Sequence, residues 1–153
     1  MKSRKQVQGF SLVELIVILA VVAVLATWAV PNFQGMFENM QLNSSVNRLS
    51  ASIGWARAEA IRTQTPVVVT PKSGSWGNGW IIFLDANGNG VQDAGEETLK
   101  EEEGFPDSVT VTNSNRVSIN PSGMIGPVAS VAKLNNSART VIVSIEINRV
   151  KVS

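Results

Sequence analysis

Three hydrophobicity patterns follow one another along the chain. After a short stretch holding Lys2, Arg4 and Lys5, residues 15–30 read LIVILAVVAVLATWAV, with Thr27 the only polar member. Extended back to Phe10, this run has about 21 residues, or roughly 31 Å as a helix at ~1.5 Å per residue, which matches a bilayer core of about 30 Å. Pro31 follows, so a kink or local melting is expected near Trp28–Val30. Apolar residues then recur mostly at three- and four-residue steps, at Phe33, Met36/Phe37, Met40, Val46, Leu49, Ile53, Ala56 and Ala60. Gln34, Glu38, Gln41, Arg48, Arg57 and Arg62 occupy other faces. The pattern predicts one amphipathic helix to about Thr63, with its apolar stripe laid on a β-sheet of the same chain. After Pro66 come short β-branched segments separated by Gly, Asn, Pro or Ser clusters: 67–70, 80–84, 109–112, 117–119, 128–134, 140–147 and 150–152. Val141, Val143, Ile145 and Ile147 alternate onto one face, and Asn148-Arg149 reads as a turn into a final edge strand. The head is therefore expected to be β-rich and antiparallel, packed on the second half of the helix.

Composition removes whole classes of chemistry. The chain has 153 residues, 44% hydrophobic and 16% charged, too apolar for a disordered chain and of a length for one domain with an appendage. It has no cysteine and no histidine, which excludes disulfides, thiolate and histidine catalysis, and Cys- or His-ligated metals. Oxygen ligation of calcium or magnesium is what remains. No two carboxylates form a recognisable acid/base couple, and no enzyme activity is expected.

The basic residues ahead of the apolar run place the N-terminus in the cytoplasm. The run is too long for an ordinary cleaved secretory signal, and no A-x-A-like site follows it. Glu14 lies inside the run, where a carboxylate costs about 2.5–3.5 kcal/mol at mid-bilayer and less near the interface. It calls for a cationic partner.

The segment KQVQGFSLVELIVILAVVAVLA resembles the class III signal of type IV pilins and pseudopilins: a short basic leader ending in Gly9, then Phe10, then an apolar helix with one early acid, Glu14. The resemblance implies that residues 1–9 are a leader, that prepilin peptidase cuts between Gly9 and Phe10 and methylates the new Phe10 amine, and that Glu14 contacts the Phe10 amine of a neighbouring subunit during assembly. SIGWARAEAIRTQTPVV (52–68) followed by GNGWIIFLDANGNG resembles the GspH/FimT family of minor pilins and minor pseudopilins. That resemblance implies an α+β fold: a long N-terminal helix, membrane-spanning over 10–31 and amphipathic over 32–65, packed on a small antiparallel β-sandwich head over 66–153. It implies a single-pass protein of the bacterial inner membrane with a periplasmic head, which then enters a fibre with major and minor pilins through its N-terminal helix. The first reading is a minor type IV pilin that enters or primes a pilus; a second gives the same fold the binding of double-stranded DNA during natural transformation, as some FimT-type members do. The alternative is a minor pseudopilin of type II secretion.

Two further segments carry candidate binding chemistry. Residues 85–96 fit D-x-[DN]-x-[DN]-G-x5-E, with side-chain oxygens from Asp85, Asn87, Asn89 and Glu96, the Val91 carbonyl, and Asp93 through water as calcium ligands. A strand precedes this loop and no clear helix follows, so the context favours a structural hairpin loop, with calcium the alternative and no other cofactor. Near the C-terminus Lys133, Arg139, Arg149 and Lys151 face only Glu146. Arg149-Val150-Lys151 resembles the Gly-Arg-x-Arg ending of DNA-binding FimT-type pilins, with Asn148 for Gly and Lys151 for Arg. An ordinary charged edge strand and a phosphate-contact site both fit. Loss of the leader leaves ten cations against twelve carboxylates, so DNA contact would be local to this tail. Asp93 to Asp107 holds seven carboxylates and one lysine, read as a solvated loop or edge that discourages wrong strand pairing, with docking of a basic neighbour as the other reading.

Overall fold

The computed structural model describes residues 10–126, 132–137, 139–146 and 149–152, with the backbone alone at 28–33, 113, 114, 133, 145, 146 and 149. Among the described residues one α-helix, α1 (Leu12–Thr63), is followed by eight strands: β1 (Val67–Pro71), β2 (Trp80–Leu84), β3 (Thr98–Glu102), β4 (Thr110–Ser114), β5 (Val117–Ile119), β6 (Ala132–Asn135), β7 (Thr140–Glu146) and β8 (Arg149–Val152), with two short 3-10 turns between β1 and β2. The helix is unbroken through Pro31, so the local melting expected there does not occur. The chain divides into two compact units, one up to Met36 and one from Phe37 onward.

In the first unit the helix is apolar on every side from Leu15 to Leu25. Every described side chain from Phe10 to Thr27 is exposed. The Thr27 hydroxyl donates to the Val24 carbonyl at 2.7 Å, which satisfies the one polar group of the run within the helix itself.

In the second unit the helix buries Leu42, Val46, Leu49, Ile53, Ala56 and Ala60. These positions step by four and three residues, which keeps them on one stripe. Met36, Phe37 and Met40 do not belong to it; they are 61%, 60% and 58% exposed. The true stripe begins at Leu42, and two residues turn a helix by about 200°, so Met40 faces away from it. Phe33, also expected in the stripe, lies outside the described side chains. The helix ends where Gln64 takes a left-handed φ of 54° two residues before Pro66, a backbone that cannot continue an α-helix.

The strands form two four-stranded sheets, ordered β3-β2-β1-β5 and β4-β6-β7-β8, with antiparallel pairing throughout. One hydrophobic cluster joins the helix stripe to both, through Val67, Val69, Trp80 and Ile82 of the first sheet and Leu134, Val141 and Val143 of the second. The α+β fold, a long helix with a small antiparallel sandwich, is as the sequence predicts. Strands form where expected at 67–70, extended by Pro71, and at 80–84, and β3 falls in the acidic run. The expected strand at 128–134 is described only from Ala132, and the turn at 148–149 lies partly outside the described residues.

Candidate functional site

Gly9 lies outside the described residues. Phe10 is 76% exposed immediately ahead of the helix. Ser11 caps α1: its hydroxyl accepts the Glu14 N–H at 3.2 Å and its carbonyl accepts the Leu15 N–H at 3.1 Å. Glu14 thus sits in the first turn, where a negative charge is favoured by the exposed N–H groups of the helix end. The cap was legible as Ser11-Leu12-Val13-Glu14, the S-x-x-E pattern of a helix start, and the motif reading passed over it. The ion pairs among the described residues all lie beyond Phe37 and none involves Glu14. Among the described residues no helix is long and apolar enough to cross a membrane. The apolar run continues past residue 27 through positions of which only the backbone is described.

The 85–96 loop connects the paired strands β2 and β3 and is closed by its own hydrogen bonds. Asp85 is buried, and its two oxygens accept the N–H groups of Asn89 at 3.0 Å and Gly90 at 2.9 Å. Glu96 accepts from the N–H of Ala86 at 2.9 Å and of Asp93 at 3.0 Å. The side-chain amides of Asn87 and Asn89 both donate to one Asp93 oxygen at 2.7 Å. Asn89 Oδ1 accepts the Val91 N–H at 2.6 Å. The oxygens of the calcium pattern therefore face N–H donors of the same loop. Among the described residues no group of three or more carboxylates converges as a metal-ligand set.

Three of the four candidate cations lie on strands of the second sheet. In the register Lys133 pairs with Ile142, Lys151 with Ser144 and Arg149 with Glu146. Residues opposite each other share a face, and alternate residues of one strand share a face. Lys133, Arg149 and Lys151 therefore hold positions of the same parity as Ile142, which is exposed, and not of Val141 and Val143, which are buried. Lys151 is exposed. Arg139, also exposed, lies on the β6–β7 turn, where its guanidinium reaches Asn43 of the helix at 3.5 Å. These residues come from separate parts of the sequence, and strand pairing brings three of them to one face.

A further structural centre lies in the GNGW segment. A Cβ on Gly104 would stand 1.9 Å from the Gly77 carbonyl oxygen, and one on Gly79 2.4 Å from that of Glu102. The two backbones touch, and beside them Trp80 packs on Trp76 and Phe105 with ring centroids 5.9 and 5.2 Å away. The Arg48 guanidinium lies 5.4 Å from the Trp80 ring centroid and donates to the Glu103 carbonyl at 2.8 Å. Gly79 and Gly104 thus permit this close backbone packing.

A profile of the family described as type II transport protein GspH matches residues 45–149, and a profile of the prokaryotic N-terminal methylation motif matches residues 4–30. The chain belongs to the GspH family. Its second unit carries the whole of the GspH match, and the stretch around Phe10 and Glu14 lies inside the methylation motif. Type II secretion system protein H of Xanthomonas campestris pv. campestris is 29% identical over 75 residues, which are 48% of this chain and 44% of that protein. The match thus spans under half the length of that relative. Two crystal structures of the type IV minor pilin FimU of Pseudomonas aeruginosa align with TM-scores of 0.59 and 0.55 at 20% identity, covering 77% and 73% of this chain and 92% of FimU. They share its fold. This is a pilin-like protein of the GspH/FimT type, in a family whose members are structural subunits.

Proposed function

We propose that the chain is a minor pilin, made with a leader over residues 1–9, cut between Gly9 and Phe10, and methylated on the Phe10 amine. In this reading residues 10–31 hold the protein in the inner membrane as a single span, with the N-terminus cytoplasmic and the head periplasmic. The subunit then leaves the bilayer and enters a fibre with other pilins. The observation that carries the reading is the pairing, on one chain, of the methylation motif over 4–30 with the GspH match over 45–149.

Glu14 gives the assembly step its chemistry. A carboxylate at the head of an apolar helix tolerates the membrane interface, where water and the helix end both favour it. Packed among apolar helices it requires a cation, because an unpaired buried charge costs about 3–5 kcal/mol relative to the paired state. A methylated amine on Phe10 of the next subunit keeps its positive charge and supplies that cation. The pairing also fixes the axial register of otherwise interchangeable apolar helices. The test is Glu14→Ala: it is processed and held in the membrane like the wild type, but is missing from sheared fibres. Incorporation at the wild-type level contradicts the proposal.

Two observations favour finer readings. The Xanthomonas relative, named for type II secretion, supports a minor pseudopilin as the alternative machine. The shared parity of Lys133, Arg149 and Lys151 supports contact of the second sheet with the phosphates of double-stranded DNA, with Arg139 at its margin.

A further inference from the structure

The sequence holds three Asn-Gly pairs: Asn78-Gly79, Asn87-Gly88 and Asn89-Gly90. Such a pair carries a latent reaction of its own. The backbone nitrogen after an asparagine can attack the side-chain amide carbon of that asparagine and close a cyclic imide, and glycine has no Cβ to hinder the approach. In a folded chain the glycine N–H must be able to give up its proton, the pair must have room to move, and water must reach it.

The fold treats the three pairs differently. Gly79 is buried; its N–H donates to the Trp76 carbonyl at 3.1 Å, and a Cβ there would stand 2.4 Å from the Glu102 carbonyl oxygen. Gly90 is buried as well, and its N–H donates to the Asp85 carboxylate at 2.9 Å. That negative neighbour opposes loss of the proton, because the nitrogen left behind would also be negative. The Arg116 guanidinium covers the same glycine, 3.1 Å from where a Cβ would be. Asn87 and Gly88, by contrast, are both exposed, and outside the chain neighbours of Gly88 nothing lies within 4 Å of its Cβ position. The Gly88 N–H donates to the Asp85 main-chain carbonyl at 3.3 Å, longer than the usual range of about 2.7–3.2 Å.

The Asn87 side chain is held in a way that suits attack. Its Oδ1 accepts the Asn89 N–H at 3.0 Å, and that donor stabilises the negative charge that builds on this oxygen when the carbon is attacked. Its Nδ2 donates to Asp93 Oδ2 at 2.7 Å, a contact between exposed side chains that water can replace. Asn89 Oδ1 has a like donor in the Val91 N–H, so it is the glycine nitrogen and its surroundings that separate the two pairs.

We propose that the fold selects Asn87 as a site of spontaneous deamidation, with water as the co-reactant. The Gly88 nitrogen gives its proton to hydroxide and bonds to Asn87 Cγ. The Cγ–Nδ2 bond breaks, and Nδ2 takes a proton from water and leaves as ammonia. Water then opens the imide. Opening at the side-chain carbonyl leaves aspartate at position 87, and opening at the main-chain carbonyl leaves isoaspartate, with the backbone rerouted through the side chain. Either product sets a new carboxylate against that of Asp93 in place of a donor, and the two like charges repel. The β2–β3 loop thus carries a slow, one-way change that loosens it as the protein ages. The change lies wholly in the second unit and needs neither processing at Gly9 nor entry into a fibre.

The full-length protein in detergent is held at mildly alkaline pH, with a parallel sample unfolded in guanidinium chloride. Fragmentation mass spectrometry of timed digests reads, at positions 78, 87 and 89 separately, the mass gain of an NH exchanged for O. In the folded protein Asn87 should convert at least about tenfold faster than Asn78 and Asn89, whose glycine N–H bonds must first be broken. Unfolded, the three should convert at similar rates. Conversion of Asn78 or Asn89 as fast as that of Asn87 in the folded protein, no conversion of Asn87 there, or an equal preference for Asn87 in the unfolded chain overturns the proposal.

Discussion

The Asp85 carboxylate accepts the Gly90 N–H at 2.9 Å from a position only 2% exposed. Its other oxygen accepts Asn89 N–H, so one buried side chain ties the start of the β2–β3 loop to its middle. Asp85→Ala strands the buried Gly90 N–H, while that of Asn89 keeps its bond to Asn87 Oδ1, and should cost about 1–3 kcal/mol. Asp93→Ala, which loses exposed amide contacts, should cost less than about 1 kcal/mol. Urea unfolding followed by the fluorescence of the buried Trp76 and Trp80 compares the two. Equal midpoint shifts would contradict the account.

The same network predicts the response to calcium. A cation would have to displace N–H groups from Asp85, Asn89 and Glu96, each already a good hydrogen-bond donor. Millimolar calcium should leave the unfolding midpoint unchanged. A saturable rise, abolished by Asp85→Ala, would show that the loop is a calcium site.

Glu59 titrates below the usual carboxylate value of 4.5, first because Arg62 hydrogen-bonds its side chain and further because the guanidinium charge lies beside it. The folded value is lower than the unfolded one, so the pair's contribution is present above the unfolded value and is lost as pH falls through the folded one. Arg62→Gln should move the Glu59 titration back up toward 4.5, read by NMR of its side-chain carboxyl. An unmoved midpoint would contradict the assignment.

The folding of the head was legible where periodicity was strong. Leu49, Ile53, Ala56 and Ala60 announce the helix stripe, and Trp80–Leu84 announces β2. Met36, Phe37 and Met40 misled because apolar residues on a helix's outer face have the same composition as those on its inner face; only the step to Leu42 fixes the phase. β3 was hidden because Lys100, Glu101 and Glu102 have low strand propensity, and its pairing with β2 overrides that preference. The cation face was legible only in part, through the two-residue spacing of Arg149 and Lys151. Lys133 and Lys151 lie far apart in sequence, and only the β6–β7–β8 register puts them at like positions.

If that face touches DNA, the attraction should be independent of base sequence and steep in salt, with log K falling by about 0.9 per phosphate neutralised for each unit of log salt. Arg149→Gln/Lys151→Gln should lower affinity alike for unrelated duplexes and leave the unfolding midpoint within about 0.5 kcal/mol of the wild type. Identical mobility shifts for both proteins at low salt would remove the DNA reading.

In the proposed function this chain becomes an assembly subunit by processing at Gly9–Phe10. Mass spectrometry of the N-terminal peptide, from protein made in cells with an active prepilin peptidase, tests it most directly. The expected peptide starts at Phe10 and carries one methyl group on its amine. A peptide that starts at Met1 in those cells would contradict it.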